Sequence, residues 1–190
     1  MWLADRSATS LAGAILGDWV RGRDLRAYSP EVALGIRLHR QVDAATDRHR
    51  VTQALRSHFA DGDRRYAGIV LDLAADYALI ADWAHFSQES LPAFTARCGL
   101  AIGNAKAAFE TAARAGVEAA AFDALLQSFG QSSGVDRAVQ RIAQRSRHPQ
   151  RLIEAAKPWP QMAQAIRADL PELMDDLLHL MLKAVAELTQ

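Results

Sequence analysis

The sequence has very little cysteine, because Cys98 is the only one among 190 residues. A disulfide within the chain is therefore excluded, and a reducing compartment is the simplest setting for it. The sequence also lacks an apolar run of the roughly 20 residues that are needed to span a bilayer. Asp5 and Arg6 place charges where a signal peptide would have its apolar stretch. We therefore expect a cytoplasmic protein with no membrane insertion.

Glycine and proline are also scarce, at 11 and 6 residues, and clusters of β-branched residues are few. A chain that is rich in alanine and poor in helix breakers predicts helices, and no segment alternates as a strand does. The length is that of one domain with a sizeable core. We therefore predict an all-α fold, a single-domain helical bundle over residues 1–190, with about seven to nine helices.

Local signals predict where several helices begin and end. Ser10 is suited to cap a first helix over 11–21, and Pro30 is suited to open a second that runs to about residue 47. A long helix is predicted from about 64 to 86, after a short turn at 61–63.

The second half contains more breakers. A helix is predicted over 90–115, and the residues 130–134 are predicted as a loop because they are glycine- and serine-rich. A last helix is predicted over 162–188, with a kink or break at Pro171. Its apolar stripe is either core or the contact surface of a homodimer.

The net charge is zero, but basic and acidic segments alternate along the chain. Residues 21–65 carry ten Lys/Arg and six Asp/Glu, and residues 136–167 carry seven and two. Residues 72–128 and 168–190 have the opposite balance. If the basic segments meet, their surface would attract an acidic protein, a phosphorylated ligand or nucleic acid; the alternative is a balanced, solvated surface. We do not expect nucleic acid to be the partner.

The densest set of chemical groups is an imidazole with carboxylates at helical spacing. His39, Asp43 and Asp47 are four residues apart, so they share one face of a predicted helix. Asp72 and Asp76 repeat this spacing inside an apolar run. Aligned carboxylates among apolar residues repel each other unless a metal ion or an arginine lies between them.

Asp18 lies among small and apolar residues, so it has either a buried partner or a place in a cleft. With the other groups it makes an oxygen and nitrogen ligand set from three helices, which suits manganese, magnesium, iron or zinc. This predicts a metal-assisted hydrolase. In the alternative interpretation, the His–Asp pair is a surface contact, Asp47 is a helix-end residue, and Arg40 and Arg65 form structural ion pairs.

Three segments resemble a known family. They read GDWVRG at 17–22, GIRLHRQVDAATDRH at 35–49 and RRYAGIVLDLAAD at 64–76. Their order and spacing resemble the bacterial acyl-carrier-protein phosphodiesterases. The strong similarity covers about the first 83 residues, and a weaker similarity extends through 139–147.

The resemblance implies an all-α fold distantly like the HD-type phosphohydrolases. It implies removal of 4′-phosphopantetheine from the serine of holo-acyl carrier protein, in fatty acid biosynthesis, with manganese or else magnesium or iron. The positions that match the family's polar active-site residues, and are expected as metal ligands, are Asp18, His39, Asp43, Asp72 and Asp76. Neighbouring polar positions, expected to be catalytic, are Arg40, Asp47 and Arg65. Since acyl carrier proteins are acidic, the residues expected to bind the substrate are Arg21, Arg23 and Arg37.

Two positions depart from the family's pattern, because Asp5 and Tyr77 stand where the family has histidines. A tyrosine is a poor general acid near neutrality, since its usual pKa is about 10. The stretch 127–133, which reads QSFGQSS, also replaces an aromatic-rich stretch of the family. Two alternatives stay open: a catalytically silent homologue that binds a carrier protein or a phosphorylated ligand, and an HD-type phosphohydrolase acting on a nucleotide. The sequence has no adjacent His-Asp dyad, which weakens the second.

Overall fold

A computed structural model describes residues 1–114 and 116–188, and all the regular structure in these residues is helical. The all-α prediction is confirmed. No helix in these ranges is both long and apolar enough to cross a membrane. The helices in chain order are α1 (Trp2–Arg6), α2 (Leu11–Leu16), α3 (Pro30–Arg48), α4 (Arg50–Arg56), α5 (Arg64–Ala81), α6 (Trp83–Phe86), α7 (Leu91–Asn104), α8 (Lys106–Thr111), α9 (Ala119–Ser128), α10 (Ser132–Gln144), α11 (Pro149–Ala156), α12 (Trp159–Arg167) and α13 (Leu170–Leu188).

Several predicted boundaries are confirmed. Ser10 caps α2, since its side chain accepts a hydrogen bond from the backbone N–H of Gly13 at 3.0 Å. Helix α3 has nearly the bounds that the sequence predicts. The predicted last helix is broken just before Pro171, which lies in the first turn of α13. The predicted end of the helix over 90–115 falls on Ala115, outside the described residues.

The described residues form thirteen helices, more than predicted, because tertiary packing ends several helices early. Helix α2 ends at Leu16, well before residue 21, and the following turn lets Trp19 pack edge-on against Phe109, with 6.1 Å between the ring centroids. Helix α5 ends before residue 86, where the indole of Trp83 donates to the carbonyl of Glu89 at 2.7 Å. Packing therefore overrides local helix propensity.

The chain divides into two compact units, each made of distant segments. The first unit contains residues 1–46, 92–124 and those from 174 onward. The second unit contains residues 47–91 and 125–173. The single-domain organisation over residues 1–190 stays a prediction.

In the first unit, α2 and α3 cross at two glycines. A Cβ at Gly13 would lie 2.6 Å from the carbonyl oxygen of Val32, and a Cβ at Gly35 would lie 2.9 Å from Gly13 Cα. Cβ atoms do not approach backbone atoms this closely, so a larger residue would push the helices apart. The close crossing brings the turn after α2 within hydrogen-bonding reach of α3. The core around it includes Ile15, Leu16, Leu25, Ile36, Ile102 and Phe109.

In the second unit, α5 packs against α4, α10, α11 and α12. Its residue Tyr66 joins Ala143, Leu152 and Ala155 in one buried cluster. Trp159 begins α12, and its indole donates to Asp136 at 2.9 Å. Tyr77 packs edge-on against the same indole, with 5.1 Å between the ring centroids.

Gly134 is a position in the second unit where alanine should be strongly destabilising. A Cβ there would lie 1.8 Å from the carbonyl oxygen of Ser128. The predicted loop over 130–134 is wrong at this point, since Gly134 is already inside α10 and packs under that carbonyl. We expect Gly134→Ala to lower the free energy of unfolding by about 1–3 kcal/mol, measured by urea denaturation. The control is Gly62→Ala, where a Cβ would have no neighbour within 4 Å, and an equal effect of both would contradict the prediction.

Candidate metal centre

The structure brings one imidazole and two carboxylates together in the first unit. His39 Nε2 lies 3.2 Å from Asp18 Oδ1 and 3.1 Å from Asp43 Oδ2. The side chain of His39 is mostly buried, with 20% of its surface exposed, whereas Asp18 and Asp43 are 70% and 59% exposed. Both carboxylates therefore meet one nitrogen at the protein surface.

Three local features place these groups. His39 and Asp43 are one turn apart on α3, as the sequence predicts. Asp18 is in the turn that follows α2, directly after Gly17. A Cβ at Gly17 would lie 2.2 Å from His39 Cδ2 and 2.6 Å from His39 Cβ. The imidazole thus occupies the space that any larger residue at position 17 would need.

The two carboxylates control the protonation of His39. Burial alone lowers the pKa of the imidazole, but the hydrogen bonds to Asp18 and Asp43 and their negative charges outweigh burial and raise that pKa to about 9. The hydrogen bond from His39 also holds the pKa of the Asp18 carboxyl below its usual value, although partial burial opposes this. At neutral pH, without a bound cation, His39 is protonated. Its Nε2–H donates to Asp18, and Asp43 lies within ion-pair distance of the same nitrogen.

Arg40 holds the turn that carries Asp18. Its guanidinium donates to the carbonyl of Gly22 at 2.8 Å and to the carbonyl of Val20 at 2.7 Å. Because Arg40 follows His39 on α3, these bonds tie the turn to the same helix that provides the imidazole. A direct catalytic role for Arg40 stays a prediction.

The residues of the cluster fit a divalent cation. One ligand atom from each of Asp18, His39 and Asp43 lies within 4.8 Å of the other two. Imidazole nitrogen with carboxylate oxygens suits Mn²⁺, Mg²⁺ or Fe²⁺ better than a thiolate-preferring metal. Since both carboxylates approach Nε2, a cation that replaces the proton there would meet all three ligands.

The two other predicted ligands lie in the second unit. Asp72 and Asp76 are both exposed on α5, whose opposite face is buried. The apolar residues around them in sequence, such as Leu71 and Leu73, point to that buried face. Their role as metal ligands stays a prediction.

Two predicted catalytic residues in the second unit have other contacts. Asp47 Oδ1 accepts from Arg56 Nη1 at 3.4 Å. Arg65 is exposed and lies over the ring of Tyr66, with its Cζ 4.8 Å from the ring centroid. Neither contact tests their catalytic roles.

The predicted substrate-binding arginines, Arg21, Arg23 and Arg37, are all exposed in the first unit. Arg21 also adds positive potential that lowers the pKa of Asp18, as a smaller contribution after that of His39. These three residues are therefore accessible, and binding of a substrate by them stays a prediction.

The two residues that depart from the family's pattern both have contacts within their own units. Asp5 accepts from Arg97 Nη1 at 2.8 Å, and both side chains are partly buried. Tyr77 is half-buried and packs on Trp159. Both positions therefore contribute packing or ion pairing within their own units.

Two residues that shape the site were not predicted from sequence as positioning residues. Gly17 makes room for the imidazole, and Arg40 binds carbonyls rather than a carboxylate. The only signal for them is their place in the 17–22 and 35–49 segments, which contain the predicted ligands.

Comparison with known proteins gives a consistent result. The family model of acyl carrier protein phosphodiesterase matches residues 1–177. A protein of Serratia proteamaculans named acyl carrier protein phosphodiesterase is 40% identical over 94 residues, which are 49% of each chain. A protein of the same name from Photorhabdus laumondii is 41% identical over 93 residues, 48% of this chain and 47% of its own. One from Escherichia coli is 36% identical over 87 residues, 46% and 45% of the two chains.

The alignments span about half the length of these curated relatives. No solved structure matches the chain, so a distant likeness to the HD-type phosphohydrolases stays a prediction. The family model, in contrast, extends over most of the sequence and includes both the α2–α3 cluster and the helices of the second unit. The chain belongs to the acyl carrier protein phosphodiesterase family.

Proposed function

We propose that the protein hydrolyses holo-acyl carrier protein, releasing 4′-phosphopantetheine, and that it needs a divalent cation for this reaction. The observation that carries the proposal is the cluster of Asp18, His39 and Asp43 in a chain of this family. Manganese is the cation we propose first, with magnesium and iron as alternatives. We also propose a cytoplasmic location, since the single cysteine fits a reducing compartment.

In the proposed reaction, water attacks phosphorus, and the bond from phosphorus to the serine oxygen of the carrier protein breaks. Asp18, His39 and Asp43 would hold the cation, which when bound polarises a phosphoryl oxygen and lowers the pKa of water. Asp18 and Asp43 each use one oxygen toward His39, so each has a second oxygen that can accept a proton from the attacking water. The serine oxygen takes up a proton as it leaves.

Other residues have proposed roles as well. Arg40 keeps Asp18 in place through the carbonyls of the turn. By the resemblance, we also propose Asp72 and Asp76 as further ligands and Asp47 and Arg65 as catalytic residues. An arginine suits charge on a phosphoryl group, because its guanidinium binds two oxygens at once.

A second candidate function has an observation in its favour. The ion pair of Asp5 with Arg97 and the packing of Tyr77 on Trp159 occupy the two positions where the family has histidines. A homologue that has lost those imidazoles is expected to keep the scaffold and to bind the carrier protein without cleaving it.

The test of the proposed function is the mass of the carrier protein. Metal-free protein is incubated with holo-acyl carrier protein, with and without manganese. The mass of the carrier protein is then measured by intact-mass spectrometry. A manganese-dependent loss of the phosphopantetheine mass supports the hydrolase. No loss, from folded protein that binds manganese, supports the silent homologue.

Substitutions should separate the two groups of predicted ligands. We expect Asp43→Ala to weaken manganese binding at least about 100-fold, because one of three close ligands is removed. Asp76→Ala tests the second unit, and Asp61→Ala is an exposed control outside both predicted groups. Titration calorimetry measures each affinity. If Asp43→Ala changes only the melting temperature and leaves manganese binding intact, the centre is wrongly assigned.

A further inference from the structure

Five arginines of the second unit form an exposed basic surface. Arg137 and Arg141 lie on α10, Arg145 is its C-terminal cap, Arg147 lies in the connecting turn, and Arg151 lies in the first turn of α11. Within the part of the chain that the structure describes, none of the five makes an ion pair. We call this set the α10–α11 arginine surface.

The lack of an ion pair distinguishes these five from several, although not all, basic residues of the second unit, since Arg65 also makes none among the described residues. Other basic residues of the same unit have partners: Arg64 contacts Asp61 at 3.0 Å, and Arg167 contacts Asp82. The two acidic residues within 136–167 are both engaged elsewhere, since Asp136 accepts from the indole of Trp159, and Glu154 contacts Lys157 at 2.5 Å. In the described part of the chain, neither carboxylate forms an ion pair with any of the five arginines.

Three of the five charges follow one row that could meet an extended partner. Arg137, Arg141 and Arg145 are spaced four residues apart, so they follow one row along α10. At a rise of about 1.5 Å per residue, this row is about 12 Å long. The residues of α10 that are buried include Val135, Ala138 and Val139, and α10 packs against α11 and α5. The row therefore stands on a rigid support.

Helix stability explains only part of this arrangement. Arg141 and Arg145 lie near the C-terminus of α10, where a cation is favoured by the helix dipole. Arg151 lies in the first turn of α11, where the dipole disfavours a cation. Five like charges in a short stretch also repel one another. A partner with negative charge is a physical reason to keep them.

We infer that the α10–α11 arginine surface binds the acidic face of the carrier protein. The inference rests on the proposed function, which supplies an acidic protein substrate. Charge complementarity selects this partner, because exposed charges steer a protein to its site and raise the association rate. The surface would therefore act on substrate capture and not on bond cleavage.

The test is the double variant Arg137→Glu/Arg141→Glu. At low salt we expect KM for holo-carrier protein to rise about tenfold with kcat unchanged, and the difference to shrink as salt screens the charges. The matched control is Lys106→Glu/Lys183→Glu, which changes the formal charge by the same four units. Both lysines are exposed and form only long i,i+4 contacts with Glu110 and Glu187, at 4.0 and 3.9 Å. Circular dichroism confirms that each variant is folded.

Binding of apo-carrier protein separates this inference from the proposed function. Apo-carrier has no phosphopantetheine to release, so its affinity, measured by fluorescence anisotropy, reports docking alone. Loss of that affinity in the α10 variant, with the control unchanged, supports the inference even if the wild type cleaves nothing. Cleavage with an unchanged KM in the α10 variant overturns the inference and leaves the proposed function standing. The inference is also overturned if both variants lose affinity for apo-carrier protein equally. It is overturned as well if the wild type binds anionic vesicles or single-stranded DNA more tightly than it binds apo-carrier protein.

Discussion

Replacing Gly17 by alanine is expected to remove manganese binding and hydrolase activity while leaving the helices folded. The added Cβ would lie 2.2 Å from His39 Cδ2 and 2.3 Å from His39 Cγ, so the imidazole must leave its position between the two carboxylates. A ligand displaced by an ångström or more no longer meets the cation, and a misplaced group costs about 100-fold in rate. We therefore expect manganese affinity and kcat/KM each to fall at least about 100-fold.

Gly103→Ala is the matched control for this variant. Gly103 lies in α7 of the same unit, and a Cβ there would meet no atom within 4 Å. An exposed helical glycine gains stability on change to alanine, by about 1 kcal/mol. The control should bind manganese as the wild type does. If Gly17→Ala keeps full manganese affinity, the imidazole position in the structure is not the one that binds the metal.

The fold class could be predicted from sequence because composition and spacing act locally. The Ser10 cap and the bounds of α3 depend on neighbours within a few residues, and both predictions are confirmed. The end of α2 at Leu16 could not be predicted, since it depends on Trp19 reaching Phe109, a residue distant in sequence. Gly134 could not be predicted for a different reason, because it makes no turn and instead packs against the carbonyl of Ser128 at the end of the preceding helix.

The candidate site could be predicted in part for the same reason. The contact between His39 and Asp43 follows from helical spacing alone. The contribution of Asp18 depends on the close crossing of α2 and α3 at two glycines, which sequence spacing does not reveal. The order of the motifs indicates which residues belong to the site. The space that Gly17 provides depends on its three-dimensional contact with His39, which the sequence does not reveal.

Manganese affinity is expected to fall steeply as pH drops from 8.5 to 6.5. The pKa of His39 in the cation-free protein is raised to about 9, so a proton competes with manganese for Nε2 across this range. For one competing proton the apparent affinity falls about tenfold per pH unit below the pKa, or roughly 75-fold between these two values. Titration calorimetry at each pH should also show close to one proton released per ion at the lower value.

The free energy of unfolding of the metal-free protein should change in the opposite sense. Because the folded pKa of His39 lies above its usual 6.5, protonation stabilises the fold fully below about pH 6.5. That stabilisation is lost as pH rises through about 9. The shift corresponds to about 3 kcal/mol at most, and to less here because Asp18 and Asp43 are more than half exposed to screening water.

Two variants show whether His39 is the titrating group. His39→Gln should remove the pH dependence of stability between 6.5 and 9, together with most of the manganese affinity. His58→Gln changes an exposed histidine outside the cluster and should preserve both. A manganese affinity that is flat from pH 6.5 to 8.5 in the wild type would mean that the metal does not displace this proton. Since both carboxylates converge on Nε2, that outcome would place the cation elsewhere and leave the cluster as an ion pair that orders the turn after α2.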